Sequence, residues 1–230
     1  MSKTNIGLVE NAKKALSEKW GYVWGTFGQL LTPSLLQRKI KQYPQGVGNF
    51  ETFIRANWMG RNVADCVGLI KSYIWLRNGR ILYIPASDKN ANGMFAEARE
   101  KGPMSTMPEI LGICLFKRGH VGIYIGNGQV IEARGTKAGV IQSPIRGVGS
   151  AGWTHWFKSP HVEYIKANME SPKAQGLTEA ISILVSEQII NSPEYWLRNA
   201  VKGRMVEGEF AGLLIIEMAR RIKELRDGEN

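Results

Sequence analysis

Apolar residues recur at Leu8, Ala12, Ala15 and Leu16 among Lys and Glu, a helical spacing that predicts an amphipathic helix over about 7–19. Leu30, Leu31, Leu35 and Leu36 surround Thr32-Pro33, which marks the start of a second helix over 33–42. From Gly46 to Asn62 turn residues alternate with Phe50, Phe53, Ile54 and Trp58. The segment Asp65-Cys66-Val67-Gly68-Leu69-Ile70 then opens an apolar run that ends at Asn78-Gly79, long enough for a helix of three turns or more. Pro, Asp, Asn and Gly signals between 84 and 108 predict a loop carrying a short helix at Met94–Glu100. Strand patterns follow at Ile110–Phe116, His120–Gly126, Gln129–Arg134 and 138–143, and His161–Ile165 is expected to close the sheet after Trp153, Trp156 and Phe157. Helical patterns return at 177–190, 193–202 and 207–226. The order predicts an α+β domain over 1–166, a linker over 167–176 and a small all-helical domain over 177–230.

The hairpin around Gly126-Asn127-Gly128 fixes more than its own shape. Along its first strand Val121, Ile123 and Ile125 share one face, and His120, Gly122 and Tyr124 share the other. A two-residue loop would set Glu132 and Arg134 opposite Ile123 and Val121 and bury charge in the core. A three-residue loop with Gly128 left-handed shifts the register by one, so that Ile131 and Ala133 join the core face. Glu132 then falls on the face of His120, one diagonal step away, roughly 7–8 Å between backbones.

Charge adds a division along the chain. The net charge of +10 belongs to residues 1–165, with 21 Lys/Arg against 10 Asp/Glu, while 166–230 hold 9 against 10. A basic face suits polyanions, but no helix-turn-helix, RNA-binding aromatic pattern or zinc finger accompanies it, which argues against nucleic acid. No window approaches the roughly 18 consecutive apolar residues of a membrane span. Two cysteines make no disulfide framework, and no Cys-x-x-Cys or His-Glu-x-x-His spacing provides metal ligands, so neither a metal nor another cofactor is expected.

Cys66 stands at the first turn of its predicted helix with Asp65 as N-cap, where the helix dipole and free N–H groups are expected to lower a thiol's pKa. The competing reading is a small buried hydrophobe, which is what Cys114 looks like inside its apolar strand. His120, at a strand start, supplies a base, and Glu132 supplies a carboxylate to orient it. Together they complete a nucleophile, base and orienter set.

These residues resemble the NlpC-type, papain-like cysteine peptidases of bacterial cell walls. The resemblance rests on Asp65-Cys66-Val67-Gly68, on His120-Val121-Gly122-Ile123-Tyr124, on the glycine turn, and on a polar residue twelve positions after the histidine. Tyr22-Val23-Trp24-Gly25 is similar to the family's aromatic-glycine segment, and most of 7–165 is covered. Val67 stands where Ser is usual, the stretch from Gly25 to Asp65 is longer than expected, and Glu132 replaces the usual His, Asn or Gln. The resemblance implies a papain-like fold with the nucleophile helix packed on an antiparallel sheet. It also implies thiol cleavage of the peptide part of peptidoglycan, at the γ-D-glutamyl–diamino acid bond or, as the second candidate, the muramoyl–L-Ala amide. Tyr22 and Asp65 would lie at the substrate and oxyanion site.

With no secretory signal pattern in the first thirty residues, the chain is expected to stay in a host cytoplasm until lysis or a holin releases it to the wall, as a phage endolysin does. Its partners would be peptidoglycan and anionic wall polymers. In the helical segment Tyr195 and Trp196 are candidates for wall binding, and Leu213, Leu214, Ile215 and Met218 for self-association. The alternative function is a non-catalytic wall-binding or interaction protein on the same fold.

Overall fold

A computed structural model describes residues 3–165, 172–200 and 205–227. The chain divides into two compact units, 1–166 and 167–230.

In chain order the first unit contains α1 (Asn5–Ser17), β1 (Phe27–Leu30), α2 (Pro33–Gln42), α3 (Glu51–Trp58), β2 (Asn62–Ala64), α4 (Cys66–Ile74), β3 (Leu76–Arg77) and β4 (Arg80–Ile81). These are followed by α5 (Ala91–Glu97), β5 (Lys101–Pro103), β6 (Cys114–Lys117), β7 (His120–Gly126), β8 (Gln129–Gly135), β9 (Gly139–Pro144) and β10 (His155–Phe157). Six strands form one antiparallel sheet in the order β5-β10-β6-β7-β8-β9. Helices α1 and α4 pack on the sheet at β7 and β8, burying Leu8, Ala12, Leu69 and Ile70 against Val121, Ile123, Ile131 and Ala133. On the opposite face Ile113, Leu115, Tyr124, Val130 and Trp153 form a second cluster. Both faces of β7 and β8 are therefore covered, and a polar side chain on either face must find its partners inside the protein.

The α2 start at Pro33 lies where the sequence puts it, because Thr32 Oγ1 accepts from Leu35 N and Pro33 occupies a position needing no N–H. The long stretch between Gly25 and Asp65 is folded on itself, with Val23, Leu31, Leu36, Val47, Ile54 and Val63 making a separate cluster. Helix α4 is shorter than the apolar run predicts. Asn78 and Gly79 both adopt positive φ, 48° and 76°, and turn the end of that run into the β3–β4 hairpin. The strand expected from Ile110 starts at Cys114, since Gly112 takes φ 78° and breaks the extended run.

The closing strand is also elsewhere. Residues 155–157 of the aromatic patch insert between β5 and β6, with Phe157 fully buried. The segment 161–165 instead secures the start of the chain, where Asn5 N donates to Glu163 O at 3.0 Å and Glu163 N to Lys3 O at 2.7 Å.

The second unit contains α6 (Pro172–Ser186), α7 (Pro193–Asn199) and α8 (Gly208–Asp227). Helix α6 takes in the last five residues of the expected linker, 172–176, and 167–171 lie outside the described residues. Trp196 is buried, and Tyr195 stacks on Phe210 at 3.9 Å while its hydroxyl accepts from Glu207 N. These rings hold the unit together, so Trp196 offers no open platform for a sugar. Leu213, Ile215 and Met218 are exposed on α8. Among the described residues no helix is long and apolar enough to cross a membrane.

Candidate active site

The site is assembled where the N-terminus of α4 meets the start of β7. Asp65 caps α4 by accepting from Gly68 N at 2.6 Å through Oδ1, and its Oδ2 accepts from Gly25 N at 2.8 Å. Both carboxylate oxygens are thus spent on backbone. The role expected of Asp65 at the substrate becomes one of positioning, since it ties the Tyr22–Gly25 segment to the nucleophile helix. Tyr22 is buried beside Cys66 and Asp65; burial raises its hydroxyl pKa and those two neighbours add to the effect.

Cys66 Sγ lies 4.0 Å from Gly119 O and is contacted by the Val121 backbone N–H, so it rests against the chain on either side of His120. The His120 ring is held by Glu132, with Nε2 2.6 Å from Glu132 Oε2. Glu132 is fully buried, and its second oxygen accepts from Arg134 at 2.7 Å and from Ser143 Oγ at 2.5 Å. With Nε2 occupied by Glu132, Nδ1 is the ring nitrogen not held by that carboxylate. The imidazole is held flat by Trp153, stacked on it at 5.2 Å and 11°.

The register that brings Glu132 here pairs Ile123 with Ile131 and Tyr124 with Val130 as expected, but by another route: the loop is the two-residue Asn127-Gly128, φ 56° and 68°, closed by Gly126 opposite Gln129, and a bulge between Tyr124 and Gly126 shifts the pairing by one. A solvated Glu132 is excluded by its burial.

No family model matches the chain, and no curated protein does. Among solved structures it is similar to the P60 domain of an antigen from M. avium subspecies paratuberculosis, with 27% identity over 70% of this chain and 98% of that one, at a TM-score of 0.39. It is similar also to the peptidoglycan hydrolase RipB from Mycobacterium tuberculosis, with 22% identity over 70% of this chain and 67% of that one, at 0.37. A third is the NlpC/p60 domain of the peptidoglycan hydrolase SagA, with 17% identity over 67% and 98%, at 0.37. The chain resembles NlpC/p60 domains. With TM-scores of 0.37 to 0.39 the likeness is distant, and the chemistry has to be read from the side chains themselves.

Electrostatics alter one expectation. The helix start does not leave Cys66 as a free low-pKa thiolate. Burial pushes the thiol up to about 12 and the Asp65 carboxyl adds to this, outweighing the N–H groups of Val121, Val67 and Cys66. The resting thiol is neutral, so reactivity requires a base at contact distance. Burial acts on Glu132 in the same upward direction, but hydrogen bonds from His120, Ser143 and Arg134 reverse it and hold the carboxyl below its ordinary value. Glu132 is therefore ionised at neutral pH and its charge is aimed at the ring.

That shift has a pH signature. A carboxyl with a depressed folded pKa contributes stability that is complete above its ordinary value, 4.5, and is lost as pH falls through the folded value. Acid unfolding followed by tryptophan fluorescence should show a steeper loss of stability below pH 4.5 in the native chain than in Glu132→Gln.

The sequence gives Ser143 no role, and it brings in Arg134 only through the hairpin register and Trp153 only through the aromatic patch, not as partners of the site. Arg134 was within reach of the sequence, since residues 132 and 134 share a strand face. Ser143 depends on β9 pairing with β8, where it lies opposite Val130. Trp153 carries no local signal. It reaches His120 because Gly122 has no side chain, and a Cβ there would lie 2.9 Å from the indole.

Proposed function

We propose that the chain is a thiol amide hydrolase acting on the peptide part of peptidoglycan. The observation that carries the reading is the buried, ionised Glu132 bonded to His120 Nε2, with Cys66 Sγ against the backbone on either side of that histidine. Burying a carboxylate costs several kcal/mol unless its partners are complete, and here the partners orient a base beside a thiol.

Nδ1 of His120 takes the Cys66 proton as Sγ attacks the amide carbonyl, and Glu132 stabilises the imidazolium that forms. Of the first-turn N–H groups of α4, that of Gly68 is taken by Asp65 Oδ1, and those of Cys66 and Val67 are the ones left to face the developing oxyanion. The imidazolium then protonates the leaving amine, and water activated by the neutral ring hydrolyses the thioester.

The substrate class follows from the resemblance of the Asp-Cys-x-Gly and His-Val-Gly-Ile-Tyr segments, with the γ-D-glutamyl–diamino acid bond favoured over the muramoyl–L-Ala amide. A phage endolysin, reaching the wall on host lysis, fits a catalytic unit followed by a separate helical one.

Digestion of purified sacculi, followed by mass spectrometry of the soluble products, tests this. The expected result is peptide fragments cut at one of the two bonds by the native chain and none by Cys66→Ala. Intact sacculi after treatment with the native chain would leave the non-catalytic wall-binding reading in its place.

A further inference from the structure

A cavity of about 410 Å³ is lined by Asp65 and Val67, the residues on either side of Cys66, together with Trp24–Phe27 on one side and α2 on the other. Its charged groups are not equivalent. Asp65 is spent on two backbone N–H groups, and Asp88 is paired with Lys71 Nζ at 2.5 Å and accepts from Tyr83 at 2.9 Å. Lys71, buried at the base of this pair, is neutralised by it.

Lys39 is different. It projects from α2 into the cavity, donates to Gln42 Oε1 at 3.0 Å and lies over the Tyr43 ring at 5.6 Å. Among the described residues it has no carboxylate within ion-pair distance. Lys89 lines the same cavity and is exposed. Three ammonium groups, Lys39, Lys71 and Lys89, thus face two carboxylates, Asp65 and Asp88, so the cavity lining carries an excess of positive charge, and Lys39 is its half-buried ammonium outside any ion pair among the described residues. Partial burial holds the Lys39 ammonium below its ordinary pKa and Arg38 adds to this, with Asp65 and Asp88 opposing. An anion at that point would restore what burial removes. Trp24, half exposed, provides an apolar wall beside it.

We propose that this cavity is a subsite for the part of the substrate next to the scissile amide, and that Lys39 selects a free carboxylate there over its amide. The ligand class, a peptide carrying a carboxylate close to the cleaved bond, rests on the function proposed above, but the charge preference can be measured without turnover.

The test is isothermal titration of the Cys66→Ala chain with two synthetic peptides containing a γ-D-glutamyl–diamino acid bond. One has the free α-carboxylate of the D-glutamyl residue, and the other has that group as the amide. The carboxylate peptide is expected to bind about tenfold tighter, a difference of about 1.4 kcal/mol. Adding Lys39→Gln should abolish the difference, and Lys39→Arg should keep most of it. Equal binding of the two peptides, no binding of either, or a preference that survives Lys39→Gln would overturn the subsite. A Lys39-dependent preference in a chain that leaves sacculi intact would instead keep the subsite and reject the hydrolase.

Discussion

Glu132→Gln is expected to lower amide hydrolysis about a thousandfold in a chain that still folds. The carboxylate now receives three donors, from His120, Arg134 and Ser143. An amide offers one oxygen and two N–H donors, so a donor must face one of those groups. If it faces His120, Nε2 has to become the acceptor and Nδ1 carries the proton, which leaves no base for the thiol. Losses of this kind, from reversing the tautomer of a catalytic histidine, reach about 10⁴. The substitution also removes the charge that stabilises the imidazolium. Arg134 is partly exposed and can turn to water, so the stability cost is held to about 2–4 kcal/mol. Steady-state hydrolysis alongside circular dichroism separates the two effects: activity lost with the spectrum retained is the predicted pattern.

Gly68→Ala should do the reverse, damaging the fold first. A Cβ at position 68 would lie 1.8 Å from the Thr26 carbonyl oxygen, a backbone atom that also accepts from Asp65 N at 3.0 Å. That oxygen cannot move without releasing the Asp65 links that hold Gly25 and the start of α4. Forced backbone displacement in a packed core typically costs about 3 kcal/mol or more, a fall of roughly 10 °C in the thermal midpoint for a domain of this size. Gly128→Ala is the control. Its φ is positive, unlike that of Gly68, but nothing lies within 4 Å of a Cβ there, so the cost should stay near 1 kcal/mol.

Much of this site is written in local pattern, because period and parity are strict. Only one register of the β7–β8 hairpin keeps Ile131 and Ala133 in the core, and that register determines the face of Glu132. Thr32-Pro33 and Asp65 are caps whose chemistry is complete within three residues. What escaped the pattern is what tertiary contact decides. The thiol of Cys66 sits at a helix start, which favours its anion. The desolvation that prevails over this comes with burial in the folded chain, which a helix start does not announce. Trp153 reaches His120 from thirty-three positions away, through a gap left by a glycine. The strand at 155–157 was hidden because an aromatic cluster has the same composition in a core as in a strand, and pairing with β5 and β6 decided it.

The central claim is that Cys66 is a thiol activated by His120. Its most direct measurement is the rate of iodoacetamide labelling at pH 7, resolved by peptide mass spectrometry. Cys66 should be alkylated in the native chain while Cys114, fully buried in the sheet core, is spared. His120→Ala should slow the labelling of Cys66 at least about tenfold, because the neutral thiol then has no base to take its proton. Equal rates in the two chains, or a native Cys66 as inert as Cys114, would contradict the account.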